Sequence, residues 1–301
     1  MKIIPITVLV HDGPIARAYL SALSLAGLSP RRIILMVSSK HPSTGKPIAS
    51  WLPSRWRYKW AENTQNFSLF HWPRFLRLKH PALCEQMISE IGKALGFKQK
   101  FFDQLQGNVR LETYGSNVER VMIDQLDDPD LLCTLQANAP ETILFTGGGI
   151  APKKLLNLDG IRILHIHPGF LPNVRGADGL LWSYLTRGKP GASCFYMATG
   201  IDVGDIVLAE DLPQICIPIQ ATERPEDQML YRLLFTFFDP AIRARVFINA
   251  LEKGEDPFCL PSNPQRLYIG TTYHFMHPVM RNRALLKVFP NVGLDTTNRR
   301  A

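Results

Sequence analysis

The segment HIHPGFLP, residues 165–172, puts two imidazoles one residue apart directly before a proline. Proline disfavours the helical region for the residue before it, so the backbone at His167 must still be extended. On an extended strand, residues i and i+2 point the same way. His165 and His167 therefore project from one face, their Cβ atoms roughly 6–7 Å apart at a rise of about 3.3 Å per residue. Such a pair can do acid–base work, clamp a metal, or merely end a buried strand. Further on, GIDVGD places Asp202 and Asp205 in a glycine-flanked turn, where a carboxylate can orient or charge an imidazole. Between the two motifs LPNVRGADG reads as a Pro/Gly loop carrying Arg175. A metal site would need further ligands, and Asp202 and His11 are the candidates.

These residues need a scaffold, and the apolar pattern supplies one. ITVLV, a helix-patterned stretch closed by Gly27 and Pro30, and RRIILMVSS read as strand, helix and strand. Short continuous apolar runs separated by helices indicate parallel strands buried on both faces. TILFTGGG and RILHIHP continue the strands, PKKLLNLDG is a short helix, and GLLWSYLTRGKPG is a helix closed by Gly188. ASCFYMATGID and DIVLAEDL are two more strands. A long helix follows over PEDQMLYRLLFTFFDPAIRARVFINALEKG, broken near Pro240. NVERVMIDQL and DPDLLCTLQANAP read as helical or loop-like, with Asp128 or Asp130 as N-cap. Ligands of open α/β sheets sit beyond the C-terminal ends of the strands, and both TGGG and HIHP fall at such ends. TGGG itself lacks the full G-x-G-x-x-G spacing and the P-loop lysine, so dinucleotide and nucleoside-triphosphate fingerprints are rejected.

Two regions break the alternation. Residues 41–105 hold ASWLPSRWRYKW and FHWPRFLRLKH, without a clean period until a helical stretch at 81–97, and read as an insertion. Residues 41–110 carry eleven Lys/Arg against four Asp/Glu, most of the chain's formal charge of +8, which suits anionic partners without choosing among them. Residues 255–301 read as an irregular Pro- and Arg-rich tail docked on the main body.

With 301 residues and 46% hydrophobic content, the chain can bury a full core. The expected division is a catalytic domain over 1–215, containing the insertion, and a long helix plus tail over 216–301. Five scattered cysteines without a C-x-x-C pair argue against a disulfide framework and fit a reducing cytoplasm. The short apolar start reads as a first strand, and no run reaches the roughly 18 apolar residues of a membrane span.

The segment GGGIAPKKLLN…IRILHIHPGFLPNVRGADGLLWSYLTRGKPGASCFYMATGIDVGDIVLAE resembles the catalytic core of the folate-dependent formyltransferases: glycinamide ribonucleotide, methionyl-tRNA and sugar N-formyltransferases. The likeness is strong over about 142–212, holds in outline over 4–38, and is absent from 41–105. It implies a Rossmann-like α/β fold and a cytoplasmic enzyme that passes a formyl group from 10-formyltetrahydrofolate to an amine. Residue by residue, His167 matches the family histidine and Asp202 its aspartate. His165 stands where the family has asparagine, a neutral donor suited to a developing oxyanion; Gly169 stands where serine is common. By the same resemblance Gly147, Gly148, Gly149 and Ile150, with Thr199, Gly200 and Ile201, line the folate pocket. His11, Gly13, Arg175 and Gly176 fall on the acceptor side. The implied partner is a small amine, phosphate- or nucleotide-bearing, with nucleic acid less favoured and a homodimer open. Two readings stand beside this one: a metal-dependent hydrolase using the His-x-His pair, and a binding protein that kept the fold without the chemistry.

Overall fold

A computed structural model describes residues 1–41, 44–254, 260–266 and 268–292. In chain order it runs β1 (Lys2–Val10), α1 (Pro14–Leu25), β2 (Leu28–Ser38), α2 (Ser54–Leu69), α3 (His71–Lys79), α4 (Pro81–Leu95), α5 (Gln99–Gln104), β3 (Val118–Ile123), α6 (Pro129–Gln136), β4 (Glu141–Phe145), α7 (Lys153–Leu156) and β5 (Ile161–His167). Then follow β6 (Val174–Gly176), α8 (Gly179–Arg187), β7 (Gly191–Tyr196), β8 (Ile206–Asp211), β9 (Ile219–Gln220), α9 (Asp227–Leu233), α10 (Asp239–Lys253), β10 (Thr271–Tyr273), α11 (Pro278–Val288) and β11 (Asn291–Val292). Seven strands form one sheet in the order β3-β2-β1-β4-β5-β7-β8, parallel from β3 to β5 and antiparallel at its last two pairings. This is the mostly parallel α/β sheet expected.

The apolar runs are continuous because both faces are covered. Val8, Val10, Ile33, Leu35 and Leu144 face the cluster that holds α1 and α10, where Tyr19 meets Phe247 edge-on at 5.6 Å. Their neighbours Leu9, Ile34, Ile143 and Phe145 turn to Leu131, Leu135 and Leu155 of α6 and α7. Asp128 caps α6, as its side chain accepts the Asp130 N–H. The long helix is interrupted by a π-helical turn at Leu234–Phe238, just before Pro240, whose missing N–H cannot join the helical ladder.

Three expectations need correction. The stretch 54–79, read as lacking a period, is helical. The period was hidden because the buried face of α2 holds Ala61 and Gln65, while Trp56, Trp60 and Phe67 point to solvent. NVERVMIDQL, read as helix or loop, contains β3, an edge strand whose charged residues obscure the apolar run: Glu119 pairs with Arg32 and Arg120 with Glu62 and Glu112. The tail is ordered where described: β10 pairs with β6, and α11 packs on α8 and α9. Cys259 and residues 293–301 of that tail lie outside the described residues. No helix among the described residues is long and apolar enough to cross a membrane.

Candidate active site

A cavity of about 460 Å3 opens at the C-terminal ends of β4 and β5, within the size range of small-molecule sites. His165, His167 and Asp202 all line it. β5 delivers both histidines, and the loop between β7 and β8 delivers Asp202.

The turn around Asp202 is strained and clamped. Its φ is +53°, a left-handed value uncommon outside glycine. Its Oδ2 accepts the Gly176 N–H at 2.8 Å and lies 3.4 Å from His167 Nδ1. Gln265, from the tail, donates to the Asp202 carbonyl at 2.9 Å and to the Gly204 carbonyl at 2.6 Å. Gly204 has no alternative, since a Cβ there would lie 1.6 Å from the Tyr196 carbonyl oxygen. Gly176 is equally constrained: its φ is +88°, and a Cβ would lie 2.1 Å from the Tyr273 carbonyl oxygen.

The two imidazoles differ in their partners. His165 Nδ1 lies 3.0 Å from the Phe145 carbonyl, which can only accept, so Nδ1 carries the proton. Burial, reinforced by the charge of Arg243, pushes His165 down to about 4, so at neutral pH its Nε2 is unprotonated. The one N–H of His165 is thereby committed to the backbone. His167 is also pushed down by burial, with Asp202 pulling it back up and Arg243 pushing it down. A carboxylate accepts, so Asp202 favours a proton on Nδ1 of His167; its Nε2 is buried with no hydrogen-bond partner.

Arg243 is the residue that motif reading missed. It reaches from α10 to the cavity wall, donates from Nη1 to the Ile166 carbonyl at 2.6 Å and pairs through Nε with the fully buried Asp239 at 2.5 Å. It thus anchors on the residue between the two histidines. Nothing in AIRARVF marks it, because its contact with the Ile166 carbonyl is made only when α10 lies across β5. Asp178 was missed as well: it lines the cavity at φ +54°, accepting from Tyr231 Oη and the Met276 N–H, each at 2.7 Å.

The remaining expected residues divide. Gly147, Gly148, Gly149, Ile150, Gly200 and Ile201 line the cavity, and so does Gly176. Thr199, exposed on the same turn, is not among the lining residues. Nor are His11 and Gly13, which close β1 at the rim; Asp12 between them is locked to Arg17, and Ile15 beyond them does reach the cavity. Arg175 is not among the residues lining the cavity. It is buried, and its guanidinium donates to the carbonyls of Pro172 at 3.2 Å and Ile269 at 3.1 Å, tying the motif loop to the tail. That tail then contributes Thr272, Tyr273, His274 and Phe275 to the cavity wall, which Phe235 of the π-helical turn also lines. No described residue of 41–105 lines this cavity. A wider hollow of about 740 Å3 beside the start of α4, lined in part by Lys79, His80 and Glu223, holds none of these residues.

Comparison with known proteins agrees with the geometry. Residues 112–230 match the family model described as formyl transferase, spanning β3 to α9 with both motifs. Methionyl-tRNA formyltransferase of Syntrophus aciditrophicus (strain SB) is 33% identical over 90 residues, 29% of this chain and 29% of that protein. The enzyme of the same name from Rickettsia canadensis (strain McKiel) is 30% identical over 121 residues, 40% of this chain and 38% of that protein. The chain thus spans less than two fifths of the length of these curated relatives. Among solved structures, a sugar N-formyltransferase from Shewanella sp FDAARGOS_354 aligns over 96% of this chain and 88% of its own, at a TM-score of 0.41 and 12% identity. The resemblance seen in the motifs is shown: a formyl transferase segment carries them.

Proposed function

We propose that this chain, built on a formyl transferase segment, moves a formyl group from 10-formyltetrahydrofolate to the amine of a small acceptor. One observation carries the reading: two strand-end imidazoles, one backed by a carboxylate, on the wall of a cavity inside the matched segment.

The cavity suits such a donor. Phe195, Met197, Ile150 and Ile201 offer apolar surface, and the space in front of the Gly148 and Gly149 α-carbons is open, so a planar group can approach the backbone. 10-Formyltetrahydrofolate supplies an activated formyl carbon. The acceptor nitrogen bonds to that carbon, the bond from the carbon to N10 breaks, and the proton lost by the acceptor nitrogen ends on N10.

His167 handles that proton. Nε2 of His167 is buried, so the pair formed by Nδ1 of His167 and Asp202, 3.4 Å apart on the cavity wall, takes the proton from the acceptor nitrogen and returns it to the leaving nitrogen. His165, unable to donate from Nε2 at neutral pH, accepts an N–H of the acceptor and points the nitrogen lone pair at the formyl carbon. Arg243 supplies the fixed positive charge that an oxyanion at the formyl oxygen needs. The same cation, whose charge pushes both imidazoles down, disfavours a divalent metal on the His-x-His pair and argues against the hydrolase reading. The acceptor side is the aromatic part of the wall, lined by Phe235, Tyr273 and Phe275, which suits an amine carried on a flat ring or nucleotide.

The test is a saturable thermal stabilisation by 5-formyltetrahydrofolate, a stable analogue of the donor, followed by formylation of a panel of amines with 10-formyltetrahydrofolate. A ligand that binds only the folded state at a hundred times its Kd adds about 2.7 kcal/mol. Stabilisation with turnover that His167→Ala abolishes supports the reading. No stabilisation by the folate sinks it.

A further inference from the structure

We propose that the solvent face of α2 docks this protein on an anionic phospholipid surface. The inner face of α2 is committed to the fold: Ala61 and Gln65 are buried, Gln65 bonds Ser38 and Met36, and Tyr58 Oη accepts the Met122 N–H at 3.1 Å. The outer face carries Trp56, Trp60 and Phe67, exposed to 63%, 60% and 72%. At 3.6 residues per turn these three project within roughly 40° of one another, on the side away from the buried residues. They form a stripe about 16 Å long. Trp51, just before the helix, is 81% exposed, and Leu78, near the end of α3, is 79% exposed. Folding alone gives no reason to leave so much aromatic surface in water.

The charge around the stripe selects the partner. Residues 46–79 hold seven Lys/Arg and one acid, Glu62, which is held by Arg120 at 3.0 Å. Arg55 and Lys59 are exposed on one flank of the stripe. A helix with Trp and Phe along one line and Arg/Lys beside it is the pattern of an interfacial helix: the rings settle at headgroup depth and the cations meet lipid phosphates. The stripe is convex, and its residues line none of the described cavities, whereas a single-stranded nucleic acid is held in a groove with stacked bases. A second copy of the chain across a two-fold would set the same cations against each other. A soft anionic surface accommodates both the knobs and the charge.

The measurement is co-sedimentation of the full chain with phosphatidylcholine vesicles and with vesicles that also contain phosphatidylserine; no step depends on formyl transfer. The expected result is binding to the anionic vesicles at least tenfold stronger than to the neutral ones, weakened by salt, with a blue shift of tryptophan fluorescence. The triple substitution Trp56→Ser, Trp60→Ser and Phe67→Ser should lose that binding while keeping its circular dichroism. Should that variant fold poorly, the double substitution Arg55→Glu and Lys59→Glu, at exposed positions, should lose it too. Equal binding to both vesicle types, or binding that survives both variants, overturns the proposal. So does a stripe-dependent dimer, or stripe-dependent binding of a single-stranded oligonucleotide, without vesicle binding.

Discussion

The Phe145 carbonyl accepts Nδ1–H of His165 at 3.0 Å, and that bond makes the other ring nitrogen an acceptor. Phe145 ends β4 and His165 sits near the end of β5, its parallel neighbour. A residue that the motif alone would cast as an oxyanion donor is thereby a neutral base.

Stability should report this directly. The folded-state pKa of His165 is about 4, against an ordinary histidine value of 6.5. Between those values the unfolded chain takes up a proton that the folded chain refuses. The contribution is therefore fully present above about pH 6.5 and is lost as the pH falls toward 4. Unfolding midpoints of wild type and His165→Asn, measured across that window, should show the shallower acid decline in the variant. Activity should stay within about tenfold, since asparagine can still hold the acceptor nitrogen. Parallel acid slopes would count against the assignment.

The carboxylate behind His167 should matter to rate more than to affinity. Asp202→Asn removes the charge that pulls the His167 pKa up, so the acid limb of kcat should move to lower pH. It should also lower kcat by about 10²–10⁴, the range of a general acid–base group, with KM little changed. Steady-state kinetics over pH decide it. An unmoved limb would place Asp202 in a purely structural role.

Arg243 pushes both imidazoles down, so removing its charge should raise the acid limb of kcat/KM. Arg243→Gln alone strands the buried Asp239 and should cost about 3–5 kcal/mol. Pairing it with Asp239→Asn separates the two effects: the double variant should regain much of the stability yet keep the displaced limb. Denaturant titration and a pH–rate profile on both variants make the comparison.

Gly169 has no room for the serine common at its position in the resembled family. A Cβ there would lie 2.8 Å from both His167 Nε2 and the Val174 carbonyl oxygen. Gly169→Ser should cost about 1–3 kcal/mol, as overpacking does, and lower kcat by displacing the imidazole. A variant of unchanged stability and rate would show that the loop has slack.

Arg175→Met separates anchoring from substrate contact. Its guanidinium holds the Pro172 and Ile269 carbonyls, so the loss should appear as about 1–3 kcal/mol of stability and faster proteolysis near 269–275. Unchanged stability with a raised acceptor KM would return Arg175 to the acceptor side.

Much of the candidate site's frame was legible because it is local. His165 and His167 face one cavity because strand side chains alternate, and Pro168 keeps the strand extended to its end. The central strands declared themselves through apolar runs that only a doubly covered parallel sheet requires, and the glycines at 147–149 fell where a strand ends beside the cavity. What stayed hidden depends on contacts between distant segments. Arg243 joins the histidines only because α10 crosses β5, and Arg175 turns structural only because 269–273 returns to the motif loop. His165 loses its free donor only because β4 ends beside it. Helix α2 escaped notice for the converse reason: periodicity registers helices that bury their large side chains, and this one turns them outward. Which residues a strand presents follows from the local chain, whereas the partner each atom meets is set by long-range packing, and protonation follows the partner.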